Sequence, residues 1–415
     1  MNCRWLSERQ KNPNRTGPRE SAYLQSDGAV HKMSRAKEAA LNGYIGSTPS
    51  LGPRVNTASP GLQLASTGSY PRIGDPAELQ LLRRSISALD RGERTTADIL
   101  DAENEMTRRA IAEQVKAGLD VITDGQIRWY DPISHLAGKL DNVKIRGLLR
   151  FFDTNTYFRQ PVLTGKPTRR GHLVVNEYSF ACNALGHLPT PPEKAGKLSI
   201  KPVLTGPYTL AKFSLGEHHE NGAPETSASL EARAMAYAEA LAPEIEALAQ
   251  SGADLIQVDE PAAVKFPGDW AIFEQALGPL FAAREKVRKA GRKTELALYV
   301  YFHDSTPFYE KLVGLPVDIV GLDFSYDAKL ADLIASAGSP KPLGLGLVDA
   351  RNTRLEDPDV IAWQVERLMP KIEGGRAYLG PSSGLEYLPR DRAFAKLELL
   401  SKVRTALTGI KGAAN

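Results

Sequence analysis

From Gly61 onward the chain repeats one unit: a short run that is apolar on both faces, followed by an amphipathic stretch of helical period. The runs occupy 62–66, 119–123, 202–205, 254–258, 296–302, 317–322, 343–348 and 376–379. Runs this short, apolar at successive positions, suit parallel strands buried on both sides. Between them, Ile99, Ala102, Met106 and Ala110 recur at three- and four-residue steps in 95–117. Leu230, Ala234, Tyr237, Leu241, Ile245 and Leu248 do the same in 228–250, where Pro243 is expected to bend the helix. Helices are also expected at 268–290, 327–337, 357–373 and 389–408, and Gly118 and Gly252 stand where C-terminal stops belong. This alternation, about eight times over, selects a single (β/α)8 TIM-type barrel over an open doubly wound sheet. The stretch 140–200 breaks it with Gly, Pro, Thr and aromatic residues (Phe151, Phe152, Tyr157, Phe158, Tyr178, Phe180) and no helical period. It reads as a hairpin or cap inserted after the second strand. The expected division is a disordered extension over 1–60 and one barrel domain over 61–412.

The extension is rich in Asn, Ser, Gly, Pro and Arg, without an apolar period. It lacks the continuous apolar core of a secretory signal; a transit peptide or a start codon set too early are the other readings. Residues 1–62 carry nine Lys/Arg against four Asp/Glu, a net +5, so within a total of +3 the rest carries −2. A near-neutral body gives no electrostatic case for nucleic acid or an anionic membrane surface. The two cysteines, Cys3 and Cys182, form no Cys-x-x-Cys pair, which excludes a disulfide framework and fits a reducing cytoplasm. No run of about 18 apolar residues exists to span a bilayer.

A barrel does its chemistry at the C-terminal ends of its strands. Here nearly every run ends in a polar or glycine-containing cluster: Ser69-Tyr70-Pro71-Arg72, Asp124-Gly125-Gln126, Thr205-Gly206-Pro207, Asp259-Glu260-Pro261, His303-Asp304, Asp323, Asp349-Ala350-Arg351, and Ser382-Ser383-Gly384. Asp124, Asp259, Asp323 and Asp349 are expected to converge on one mouth, where grouped charge is costly unless paired or used. Each alone also reads as a helix N-cap. Tyr299 and Tyr301 alternate along one strand and point the same way, either into the lumen or against the helices. Trp129 and Tyr130 either wall a planar substrate or cover the mouth. Arg351 either binds an anion or pairs with Asp349 or Asp323.

The segments Thr67-Gly68-Ser69-Tyr70-Pro71, Leu204-Thr205-Gly206-Pro207-Tyr208-Thr209, Ile256-Gln257-Val258-Asp259-Glu260-Pro261, Gly344-Leu345-Gly346-Leu347-Val348-Asp349 and Pro381-Ser382-Ser383-Gly384-Leu385, in this order, resemble the catalytic half of cobalamin-independent methionine synthase. The resemblance implies methyl transfer to a small thiol such as homocysteine, from a folate or corrinoid donor, the latter carried by a corrinoid protein. It also implies a zinc that lowers the thiol pKa. The family's zinc-binding His-x-Cys aligns with Tyr299 and Tyr301, its Glu with Asp323 and its Cys with Ser383. His303 is the nearest substitute nitrogen, so His303, Asp323 and Ser383 are the candidate ligands left. Arg351 aligns with the family's catalytic His, Gln126 with its acidic contact to the homocysteine amine, and Phe213 with its folate-facing tryptophan. Ser69, for the substrate carboxylate, and Asp259, for its amine, are retained.

These residues admit three functions. In the first, the chain is a methyltransferase of methionine biosynthesis. In the second, it is a zinc-less relative doing acid–base chemistry with Asp259, Asp323 and Arg351, as the metal-free uroporphyrinogen decarboxylases do on the same barrel. In the third, it binds a small molecule without turning it over. The substrate-binding set expected is Ser69, Gln126, Asp259, Tyr299, Tyr301 and Phe213.

Overall fold

A computed structural model of the protein describes residues 61–189, 198–216 and 227–409, so the extension expected over 1–60 lies outside the described residues. The strands are β1 (Leu62–Leu64), β2 (Val121–Ile122), β3 (Leu140–Arg150), β4 (Tyr157–Arg169), β5 (Ser199–Ile200), β6 (Val203–Thr205), β7 (Leu215–Gly216), β8 (Leu255–Asp259), β9 (Glu295–Val300), β10 (Ile319–Asp323), β11 (Leu343–Val348) and β12 (Ala377–Pro381). A seven-stranded sheet runs in the order β1-β12-β11-β10-β9-β8-β6, every pair parallel. It closes through β2, which bridges Ala65 on one side through Val121 and pairs with β5 on the other. β5 and β6 are one run interrupted at Lys201-Pro202, where Lys201 N donates to Ile122 O and Gln257 N donates to Pro202 O. The result is the expected barrel, with strands buried on both faces because helices cover the outside.

Helices stand where the apolar period placed them: Thr96–Lys116, Ser227–Gln250 (which runs through Pro243), Trp270–Lys289, Lys329–Ala337, Pro358–Leu368 and Arg390–Thr408. Thr95 and Asp98 form a capping box at the first, and Gly118 and Gly252 follow in the left-handed region as stops. The fifth ends at Leu368, short of the expected 373, because Pro370 cannot continue it.

The insertion is a long antiparallel hairpin of β3 and β4, with β7 added to its edge. A helix, Val175–Gly186, follows it where no helical period was legible. Phe180 and Leu185 extend its apolar side beyond the buried Val175, Tyr178, Ala181 and Ala184, which blurs the stripe. Buried Glu244, on the helix Ser227–Gln250, clamps the base of the hairpin. It accepts the backbone N–H groups of Leu173, Val174 and Val175 and pairs with Arg169 at 2.6 Å.

Inside the barrel, Tyr299 lies across the lumen. A Cβ at Gly321 would overlap its ring, and one at Gly344 would lie 2.6 Å from its hydroxyl. The two glycines therefore make the room that the phenol fills. Gly321→Ala overpacks this layer and is expected to cost about 1–3 kcal/mol of stability; a urea midpoint indistinguishable from the parent protein would show that Tyr299 is not held there.

Candidate active site at the barrel mouth

Asp259 ends β8, and the turn after it is built by its neighbour. Glu260 is fully buried and accepts the N–H groups of Tyr208 (2.9 Å) and Thr209 (2.7 Å) and the Thr209 hydroxyl (2.6 Å), which ties the third strand-end loop to the fourth. Gly206 lets that carboxylate approach, since a Cβ there would overlap it. Asp259 is thereby left facing the lumen. Its Oδ1 accepts Gln257 Nε2 at 2.6 Å and its Oδ2 accepts the Tyr301 hydroxyl at 3.1 Å. Burial pushes its carboxyl up to about 7, against the lowering pull of Gln257, Lys201 and Tyr301.

Below it sits Lys201, also fully buried. Its Nζ donates to Ser66 O (3.0 Å) and to Gln257 Oε1, and stands 4.8 Å from the Tyr299 ring centroid. Burial pulls this ammonium down to about 7, while the Asp259 charge opposes the shift. Gln257 thus joins a buried ammonium to a buried carboxylate, and its second N–H goes to Thr67 O at 2.6 Å. Neither Lys201 nor Gln257 was among the expected site residues. The signal was present: a lysine just before one apolar run and a glutamine inside another, the glutamine two places before Asp259 and so on its face.

Tyr299 and Tyr301 both point inward. Of the four acids expected to converge, Asp259 and Asp323 adjoin the Tyr301-Phe302 turn, whereas Asp124 and Asp349 fold back on their own loops. Asp124 accepts Gln126 N and Asp349 accepts Arg351 N, each two residues on. Burial, with the Glu177 charge, raises the Asp124 carboxyl to about 6. Asp323 is spent on Ser325 N and Oγ and on Phe302 N, and burial raises it to about 6. Arg351 forms neither expected ion pair. Its guanidinium lies 4.3 Å over the Tyr326 ring, Nη1 donates to that hydroxyl, and Nε is buried without a partner.

Ser69 donates its hydroxyl to Glu386, a carboxylate absent from the expected set. Beside them opens a cleft of about 710 Å³ whose lining includes Ser69, Gln126, Trp129, Tyr130, Arg72 and Glu386. Trp129 is buried and donates to Glu177, while half-exposed Tyr130 carries the Arg72 guanidinium at 4.6 Å, and both line the cleft. The hairpin tip closes the mouth. Phe151 and Phe152 meet Phe213 at 5.6 and 5.1 Å and Phe302 at 6.1 and 5.4 Å. Phe152 and Phe302 both adopt positive φ, 51° and 68°, a conformation costly for non-glycine residues and concentrated at functional sites.

The positions aligned with zinc ligands do not suit zinc. They hold two phenols, a carboxylate already engaged, and Ser383, whose hydroxyl turns to Gly384 O. Burial and the nearby carboxylates hold the Tyr301 phenol well above its ordinary value. His303 stands 6.2 Å from Tyr326, and among the described residues no group of three or more His, Cys, Asp or Glu is arranged to hold an ion. His303, Asp323 and Ser383 therefore do not assemble a metal site.

Residues 62–406 match the family described as cobalamin-independent synthase, catalytic domain. Curated relatives include a methionine synthase of Saccharolobus solfataricus, 27% identical over 336 residues, covering 80% of this chain and 90% of that protein. The methionine synthase of Sulfurisphaera tokodaii is 27% identical over 333 residues, covering 80% and 88%. Among solved structures, the B12-independent methionine synthase from Shewanella sp. W3-18-1, in complex with selenomethionine, superposes with a TM-score of 0.61 at 20% identity, over 84% of this chain and 98% of that one. A putative B12-independent methionine synthase from Listeria monocytogenes gives 0.59 at 17%, over 83% and 98%. These two share the fold. The match over most of its length makes this chain a member of the cobalamin-independent synthase family, built on its catalytic domain.

Proposed function

We propose that this chain is a methyltransferase that moves a methyl group onto a small thiol, with Asp259 taking the thiol proton in place of a metal. The observation that carries the reading is Asp259 itself, held by neutral partners and raised by burial to about 7. An ordinary thiol has a pKa of about 8.5, so proton transfer to a base near 7 is uphill by about 2 kcal/mol. An unperturbed carboxylate would face about 6 kcal/mol. Burial thus supplies much of the nucleophile activation for which the family's zinc is expected.

The step balances simply. The S–H proton passes to an Asp259 oxygen, the sulfur lone pair forms the new S–CH3 bond, and the bond from methyl to donor breaks with its electrons left on the donor. Arg351 stands where the resemblance places the family's catalytic His, and a guanidinium serves as a hydrogen-bond donor rather than a general acid. That favours a leaving group that needs none, a methylated corrinoid carried by a partner protein, over a methylated folate. The aromatic cover of Phe151, Phe152, Phe213 and Phe302 supports the reading by excluding water from the nucleophile. Lys201 and Gln257 orient the carboxylate; Asp323 holds the Phe302 turn and Arg351 lies over Tyr326. The working unit in this reading is 61–412. Among the described residues no helix is long and apolar enough to cross a membrane, and a cytoplasmic site of action agrees with a sequence that has only two cysteines and no Cys-x-x-Cys pair.

Transfer from methylcobalamin to a panel of small thiols, read as thioether by mass spectrometry, tests the reading; no thioether with any thiol, from this donor or from methyltetrahydrofolate, overturns it. Asp259 must be ionised to act, so kcat/KM is expected to fall as pH drops through about 7. Asp259→Asn is expected to lose about 100-fold or more. Lys201→Met removes a cation that lowers the Asp259 pKa, so its acid limb is expected at higher pH; an unmoved limb would assign that limb to another group. Dialysis against a strong chelator is expected to leave the rate unchanged, and restoration of a lost rate by added zinc would return the metal to the mechanism.

A further inference from the structure

Glu386 takes the Ser69 hydroxyl, which the family resemblance assigns to a substrate carboxylate. Its chain is tied there: Leu385 N donates to Ser69 O at 2.8 Å, and the Ser69 hydroxyl donates to the Glu386 carboxylate. Gly384 makes the approach, since a Cβ there would overlap both the Ser69 hydroxyl and that carboxylate. On the other side of Ser69 the family's acid is replaced by the neutral amide of Gln126, whose Oε1 lies 3.5 Å from the position of a Cβ on Gly68. The polarity of the pocket is thus exchanged, with the acid beside the serine and the amide where the acid is expected.

Glu386 and Asp259 are both engaged by neutral groups. Glu386 has Ser69 and Tyr387, and Asp259 has Gln257 and Tyr301. Among the described residues neither stands in an ion pair, and the Glu386 charge helps raise the Asp259 carboxyl. Among the described residues no nearby cation is paired with either carboxylate: Lys201 reaches Asp259 only through Gln257, Arg390 is paired with Glu113, and Arg72 donates to Ile127 O, each arginine keeping a buried Nη2 without a hydrogen-bond partner. A buried carboxylate and a half-buried one without a paired cation cost free energy that a bound ammonium would recover, while a second carboxylate placed on Ser69 would add a third like charge.

Granted the thiol-methylating role proposed above, we propose that Glu386 selects the acceptor: a small aminothiol with no carboxylate beside its amine, the ammonium seated on Glu386 and the thiol turned to Asp259. The two acids then divide the work, one binding and one taking the proton. The amino-acid acceptor that the family resemblance implies is the molecule this arrangement rejects.

The test is calorimetric titration of the full chain at pH 8 with cysteamine and with homocysteine, without a methyl donor. Cysteamine is expected to bind at least about tenfold more tightly. Glu386→Gln keeps the size and the bond from Ser69 but removes the charge, and is expected to erase most of that preference. Homocysteine binding the parent protein as tightly as cysteamine overturns the proposal, and so does an unchanged ratio in a folded Glu386→Gln protein. The parent ratio alone decides if that variant fails to fold. Because no donor is present, the expected preference without any thioether product in the transfer assay would sink the methyltransferase reading alone. Thioether formed as readily from homocysteine as from cysteamine would sink the Glu386 role alone.

Discussion

Everything at the mouth depends on one amide. Gln257 accepts from the Lys201 ammonium through its carbonyl and donates through its two N–H bonds to Asp259 and to Thr67 O. These bonds fix which end of the amide faces which charge. A lysine and an aspartate buried in an apolar barrel would each be ruinous alone, and a direct ion pair would clamp Asp259 as a permanent anion. The intervening amide spreads the charge across three side chains and leaves each partner poised near neutrality. The barrel makes this arrangement possible because three neighbouring strands, entering in register, deliver alternate side chains to one layer of the lumen.

The hairpin supplies the second condition, a dry mouth. Its base is fastened to the outer helix by Glu244 and Arg169, while its tip carries Phe151 and Phe152 onto Phe213 and Phe302. Desolvation is the largest cause of the raised carboxyls at Asp259, Asp323 and Glu386. An insertion far from the chemistry in sequence therefore sets the electrostatics of the strand ends it covers.

The strands were legible because burial on both faces writes an unbroken apolar run, and the helices because a surface helix shows one apolar stripe. The helix Val175–Gly186 was not legible, since it is wedged between the hairpin base and other helices and its apolar residues spread around the axis. In the site, Asp259 could be read from its place before a proline at a strand end. Asp124 and Asp349 could not be told from it by position, and in both the pull of a local turn prevailed. Lys201 stood just before a run read for packing and Gln257 inside one, and Glu386 stood one place past a segment valued for the serine that replaces a cysteine. A side chain that acts from the middle of a strand leaves no mark of spacing, only an unexpected polarity.

Tyr299, Gly321 and Gly344 form a set in which no member can change alone. The phenol needs two absent side chains, and the absent side chains need the phenol to avoid a void. A smaller imidazole at 299 would leave the lumen underfilled, and a larger neighbour at 321 or 344 would have nowhere to go. A change at any one of the three is therefore expected to cost packing unless a neighbour changes with it.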